Sequence, residues 1–178
     1  HVRINGGIVD IEKSLWDALS PRKMIRAIDD RLDSNIAFLT VEPVEPDFNP
    51  RLALHRTYRY RLEAMEFWVE PDHGAFARWL SHFVGTYDAR NFARLEEGKN
   101  PMRTVLAAQP WMDNGRLMGF EIKGEAFLWN QVRRVANALF RLSVGELEED
   151  DVVQAIQSPL TPVDFGVAPP EWLVLWGV

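Results

Sequence analysis

Cysteine is missing from all 178 residues, which excludes disulfides and thiolate chemistry. Histidine is scarce: His1, His55, His73 and His82 are scattered, without metal-ligand spacing. No apolar run approaches the roughly 18 residues that span a bilayer, and no basic-then-apolar signal pattern opens the chain. A cytoplasmic address is the expectation. Neither a glycine-rich phosphate loop, nor a Ser-His-Asp constellation, nor a paired-carboxylate spacing occurs, and there are no internal repeats. Lysine is rare as well, with 4 residues against 16 arginines.

What is present can close a core. A hydrophobic fraction of 47% with 11% aromatics fits one domain, or one domain plus part of another. The net charge is −6, yet the segment RLALHRTYRYR, Arg51 to Arg61, holds four arginines and no acid. Arginine grips phosphate with a planar fork and stacks on bases, so an arginine-heavy set leans toward nucleic acid. Codon composition accounts for the bias equally well. The first residue is His rather than Met, so the expectation is a chain that starts partway along a longer gene product.

Hydrophobic periodicity orders the elements. HVRI reads as a short strand before Asn5-Gly6-Gly7, and SPRKMIRAIDDRL as a helix capped by Ser20 with Pro21 at its first position. A strand is expected at Asn35 to Val44. In the arginine-rich segment Tyr58, Tyr60 and Leu62 alternate with Arg59 and Arg61, a half-buried strand. Gly74 to Gly85 gives a helical face of Phe76, Trp79, Leu80, Phe83 and Val84, with Gly85 as its cap. Arg103 to Met112 and Arg116 to Lys123 form a hairpin around Asp113-Asn114-Gly115. The longest helix runs near Phe127 to Val144, burying Leu128, Val132, Val135, Leu139 and Leu142 and ending at Gly145. An acidic helix follows at Glu148 to Gln157, and WLVLWGV is a last strand. Strands in hairpin order followed by helices predict an α+β fold: a mixed, mostly antiparallel sheet with helices packed on one face.

Several residues could carry chemistry. On the long helix Asn130, Arg133, Arg134, Asn137 and Arg141 lie off the buried stripe, as a solvated polar face or as a binding face. Tyr58 could be a core tyrosine with its hydroxyl at the surface. Asp88, after Gly85, could be a catalytic carboxylate or a turn former.

The order of the segments resembles the TruA-type tRNA pseudouridine synthases. FNPRLALHRTYRYRL, Phe48 to Leu62, is similar to that family's Phe, Arg and Tyr-x-Tyr strand, and EAFLWNQVRR, Glu125 to Arg134, to its Ala-Phe-Leu followed by Val-Arg on a helix. GTYDARNF, MRTV and TPVDFGVAPPEWLVL resemble its intervening and closing elements in the right order. Ala89, Asn137 and Glu171-Trp172 depart from the pattern. The family's Gly-Arg-Thr-Asp-Ala-Gly-Val-His signature, which carries the nucleophilic aspartate, does not occur.

The resemblance implies a pseudouridine synthase-like fold and isomerisation of uridine in the anticodon stem-loop of tRNA. It divides the chain into residues 1–50, the remainder of a truncated N-terminal catalytic subdomain, and 51–178, a C-terminal α/β domain. Arg133 and Tyr58 are then catalytic, the first pairing with the aspartate and the second stacking on the flipped uracil. Arg51, Arg56 and Arg59 hold neighbouring phosphates, and Phe127 and Asn130 complete the substrate-binding set. No metal or organic cofactor is implied, tRNA is the partner, and a homodimer is expected. On this reading the chain starts just after its catalytic aspartate and is inactive alone. A non-catalytic RNA-binding module on the same scaffold is the alternative, and a protein-interaction domain with no RNA affinity a third.

Overall fold

The computed structural model describes residues 12–33, 37–45, 47, 49 and 52–178. The chain divides into two compact units, one holding the described residues up to Leu52 and the other Ala53–Val178.

Among its described residues the first unit has two short helices, α1 (Lys13–Ala18) and α2 (Pro21–Asp29). Pro21 opens α2 as expected, because the N–H it lacks would have had no helical partner there. Ser20 takes the extended N-cap conformation, although its side chain makes no capping hydrogen bond. Helix α1 has no signature in the sequence beyond propensity. The strand expected at Asn35 to Val44 does not form across 37–44, which run without regular structure. The Phe38 amide donates to the Asp29 carboxylate at 2.9 Å, a side-chain partner where a strand would use a neighbouring backbone. The expected HVRI strand lies outside the described residues.

The second unit carries β1 (Arg56–Tyr60), α3 (His73–Ser81), β2 (Gly85–Asp88), β3 (Met102–Asp113), β4 (Arg116–Gly124), α4 (Gln131–Ser143), α5 (Glu149–Gln157) and β5 (Leu173–Gly177). The five strands of its described residues form one sheet in the order β2-β3-β4-β1-β5, with every neighbouring pair antiparallel. The α+β class therefore holds. The hairpin β3–β4 turns where the sequence places it: Asn114 and Gly115 both have positive φ, 48° and 79°, as a two-residue turn matching strand twist requires.

Tyr60, Phe120, Ile122 and Val105 on the inner sheet face meet Val132, Val135 and Leu139 of α4 in a single core, which Phe76 and Leu80 of α3 join. Burying each such side chain contributes roughly 1.5–3 kcal/mol. Helix α4 begins later than periodicity suggests. Leu128 lies before it, its amide held by the Gln131 side chain at 2.9 Å, and Asn130 has left-handed φ of 61°, which breaks the helical path. At the other end Gly145, φ 72°, reverses the chain so that the Glu146 amide reaches the Arg141 carbonyl at 2.8 Å. Helix α3 stops at Ser81, short of the expected Gly85. Gly85 instead opens β2, paired with Val105.

Helix α5 is capped by Glu148 and Asp151 reciprocally. Its Glu149 ties the helix to α3: Arg78 donates to both carboxylate oxygens, and the His82 ring lies 2.6 Å from one of them. The Arg78 hydrogen bonds, then His82, pull the Glu149 carboxyl down to about 2. A depressed folded-state pKa means stabilisation that is present above the ordinary carboxylate range and lost as pH falls through about 2. Glu149→Gln should lower the melting temperature at pH 7 by roughly 2–4 °C, a partly exposed pair being worth about 1 kcal/mol. Thermal melts of parent and variant should converge between pH 4 and about 2; a constant difference at every pH would refute the pairing.

Candidate active site

Alternation along β1 sorts its side chains onto two faces. Arg56, Tyr58 and Tyr60 face the core and α4; Thr57 and Arg59 face away. Tyr60 is fully buried and stacked on Phe120, with ring centroids 6.1 Å apart, and its hydroxyl donates to the Pro169 carbonyl at 2.7 Å. Burial pushes the Tyr60 hydroxyl strongly up, while the nearby Arg133 charge opposes that rise, so the helix cation sits within electrostatic reach of this strand.

Tyr58, two residues earlier on the same face, is half-buried. Its ring meets Phe127 edge-on at 5.5 Å and 84°. Burial raises the Tyr58 hydroxyl and the Arg56 charge works against it. Arg56 in turn donates to the Glu125 carbonyl at 3.4 Å, alongside the segment that carries Phe127. This segment owes its course to Gly124: a Cβ there would lie 2.8 Å from the Phe127 ring.

Arg133 occupies the first turn of α4. Its Nε donates to the Ala168 carbonyl at 2.7 Å and its Nη1 to the Asn130 side-chain oxygen at 3.1 Å. The left-handed conformation of Asn130 thus serves to bring its amide oxygen over the helix start. Among the described residues no carboxylate approaches Arg133 within 4.0 Å, and its second η nitrogen makes no hydrogen bond. Half-buried guanidinium groups are normally paired. Arg134, expected to be solvated or RNA-facing, instead bonds Asp164 at 2.6 Å. The two adjacent arginines differ because Arg134 reaches the 158–169 segment at its carboxylate and Arg133 at a backbone carbonyl.

The structure thus brings Arg56, Tyr58 and Phe127 together, and Asn130 with Arg133, on the inner side of the sheet. It places Arg59 on the outer face, its Nε on Glu121 at 2.8 Å and its guanidinium 3.7 Å from the Trp176 ring centre and 5.2 Å from that of Trp111. Arg51 lies outside the described residues. Asp88 is engaged by Arg90 at 2.7 Å; burial raises its carboxyl, but the Arg90 side-chain and backbone hydrogen bonds outweigh that and hold it low. It is a strand-end anchor, with no free carboxylate to offer.

Neither the Ala168–Pro169 backbone, which fixes both Arg133 and Tyr60, nor Trp129 stands out in the sequence as a site element. The first leaves no side-chain signal; the second was legible only as an aromatic in the middle of a polar stretch. Among the described residues no group of three or more His, Asp or Glu could hold a metal ion, and no helix is long and apolar enough to cross a membrane. Tyr58 with Phe127 offers aromatic surface for a planar ligand, and Arg133, whose second η nitrogen has no hydrogen-bond partner among the described residues, offers a donor for an anion.

Comparison with known proteins gives this arrangement its context. A model of the tRNA pseudouridine synthase family matches residues 80–178. The tRNA pseudouridine synthase A of Thermococcus kodakarensis is 37% identical over 150 residues, covering 82% of this chain and 52% of the relative. That of Methanoculleus marisnigri is 36% identical over 160 residues, covering 89% and 56%, and that of Methanothermobacter thermautotrophicus 32% over 151, covering 85% and 53%. The chain spans about half the length of the curated relatives it matches. With more than half of its residues matched by the family model, and with relatives at this identity across most of its length, the chain belongs to the tRNA pseudouridine synthase family.

Proposed function

We propose that these residues form the substrate-facing half of a tRNA pseudouridine synthase acting on uridine in the anticodon stem-loop. In that reaction the bond from ribose C1′ to uracil N1 breaks and a bond from C1′ to C5 forms. C5 gives up its proton and N1 takes one, so the reaction is a net isomerisation and consumes no co-reactant. The observation that carries the reading is the half-buried Arg133 guanidinium, tethered on two sides by neutral acceptors and lacking a carboxylate among the described residues. A carboxylate docked on its remaining donors would be held in place and kept ionised.

Tyr58, braced edge-on by Phe127, supplies the flat surface on which a flipped uracil stacks. Arg56, and Arg51 upstream of it, would hold phosphates beside the target nucleotide, with Asn130 orienting Arg133. Arg59 serves otherwise: clamped by Glu121 and two tryptophans on the outer sheet face, it belongs to a surface we assign to the homodimer, where Trp176 is 40% exposed. A tRNA substrate implies a cytoplasmic enzyme. The aspartate is assigned to a segment bearing the Arg-Thr-Asp-Ala-Gly pattern, and residues 1–50 to the subdomain that such a segment adjoins.

The experiment is a filter-binding titration of a tRNA transcript against these 178 residues, with pseudouridine assayed in parallel. Binding that weakens steeply with salt and yields no pseudouridine is the expected result, since phosphate contacts release counterions. Absence of tRNA binding would defeat the reading, and pseudouridine from these residues alone would show that the nucleophile lies among them.

A further inference from the structure

A cavity of about 220 Å³ is lined by Arg94, Glu96, Lys99, Arg103, Leu128 and Trp129 together with Phe127, the residue that meets Tyr58 edge-on. Three cations and one acid give it the opposite charge balance to the chain as a whole. These cations differ from most other arginines of the unit. Arg59, Arg78, Arg90, Arg134 and Arg141 each hold a carboxylate. Arg94, Lys99 and Arg103 lie within 4.0 Å of no carboxylate among the described residues. The Nη1 of Arg103 bonds the Asn100 carbonyl at 2.8 Å, but its Nε is buried without any partner, an unmet donor on a charged group.

Arg94 lies over one face of the Trp129 ring at 4.4 Å, and its backbone amide bonds the Trp129 carbonyl at 2.9 Å. The indole is thereby pinned at the rim while remaining 54% exposed. A large aromatic ring fixed in an open position, next to cations with no ion pair among the described residues, matches one ligand chemistry well: a planar base joined to a phosphate.

We infer that the Arg94–Lys99–Arg103 cavity, with Trp129 at its rim, is a second nucleotide subsite that holds an RNA residue next to the one presented to Tyr58. The inference rests on the RNA-binding reading above and extends it to side chains which that reading does not use. Phe127 joins the two subsites, since it both meets Tyr58 and lines the cavity. Lys99 and Arg103 take the phosphate, and Trp129, backed by the Arg94 guanidinium, stacks on the base. Holding the neighbouring nucleotide here would keep the backbone splayed while the target uridine leaves the stack.

The test is fluorescence-anisotropy titration of a labelled tRNA transcript with the full chain and its variants at several salt concentrations, with inorganic polyphosphate as competitor. Trp129→Ala should weaken binding about 10-fold with its salt dependence unchanged, and Trp129→Phe should restore most of the loss. Lys99→Ala should instead flatten the plot of log affinity against log salt by about 0.7–0.9, the share of one phosphate contact. If the parent binds tRNA while Trp129→Ala and Lys99→Ala match it in affinity and slope, the subsite is refuted and the proposed function stands. If Lys99→Ala has its effect but Trp129→Ala has none, and polyphosphate displaces the tRNA equally from parent and Trp129→Ala, the cavity is a bare anion site and the nucleotide assignment fails. A parent chain that does not bind tRNA overturns both readings.

Discussion

Replacing Arg133 by Leu should lower turnover roughly 10²-fold or more in an enzyme that joins these residues to an aspartate-bearing segment, because several kcal/mol of transition-state stabilisation are lost. The geometry gives the reason. The guanidinium is fixed by the Ala168 carbonyl and by Asn130, both neutral, and no carboxylate among the described residues lies within 4.0 Å of it. Leucine removes both the charge and the fork. Two comparisons separate this from simple damage to the fold. Arg133→Lys keeps the charge but not the bidentate geometry, and should recover part of the rate. Arg134→Leu breaks the pair with Asp164, whose side chain is largely exposed, and should cost about 1 kcal/mol or less of stability while leaving turnover per folded molecule near parental. Single-turnover rates and melting temperatures of all three variants check the claim. Equal losses at Arg133 and Arg134, or a rate loss at Arg133→Leu that follows its melting temperature, would return Arg133 to a structural role.

Tyr58→Ala is the second large effect. The ring is half-buried against one edge of Phe127, whereas Tyr60, its neighbour on the same face, is completely enclosed and hydrogen-bonded to Pro169. Tyr60 is therefore the core tyrosine of this strand and Tyr58 the one with a surface to spare. Loss of the stacking platform should cost about 1–3 kcal/mol of base binding and misplace the reacting base, together lowering turnover roughly 10²-fold. Tyr58→Phe, which keeps the ring, should stay within a few-fold of the parent. A Tyr58→Ala protein that melts early yet turns over normally per folded molecule would identify Tyr58 as packing.

Those residues were partly legible in the sequence, and the pattern of what was legible has physical causes. The β3–β4 hairpin could be read because Asn-Gly supplies two positive φ angles at low cost, and α5 because its acidic first turn and Ser158-Pro159 mark both ends. The start of α4 could not, since Leu128 fits the apolar period and nothing local reveals that Asn130 turns left-handed to face Arg133. Strand β2 was hidden because GTYD is four residues long and depends on pairing with Met102–Val105, a tertiary contact. The alternation of Tyr58 with Arg59 was visible, and strand geometry requires opposite faces, but that Arg59 is held there by Glu121 and Trp176 depends on partners far along the chain. The contrast between Arg133 and Arg134 depends on Asp164, thirty residues away in the chain, which no helical period encodes.

The central claim is that Tyr58 and Arg133 handle a uracil whose C5 must lose its proton. The most direct measurement is tritium release to water from tRNA labelled at uracil C5, using these residues joined to an Arg-Thr-Asp-Ala-Gly segment. The account predicts stoichiometric release from the parent, and release slowed roughly 10²-fold in Arg133→Leu with tRNA affinity nearly unchanged. Release at the parental rate from Arg133→Leu, or none from the parent while it binds tRNA tightly, would contradict it.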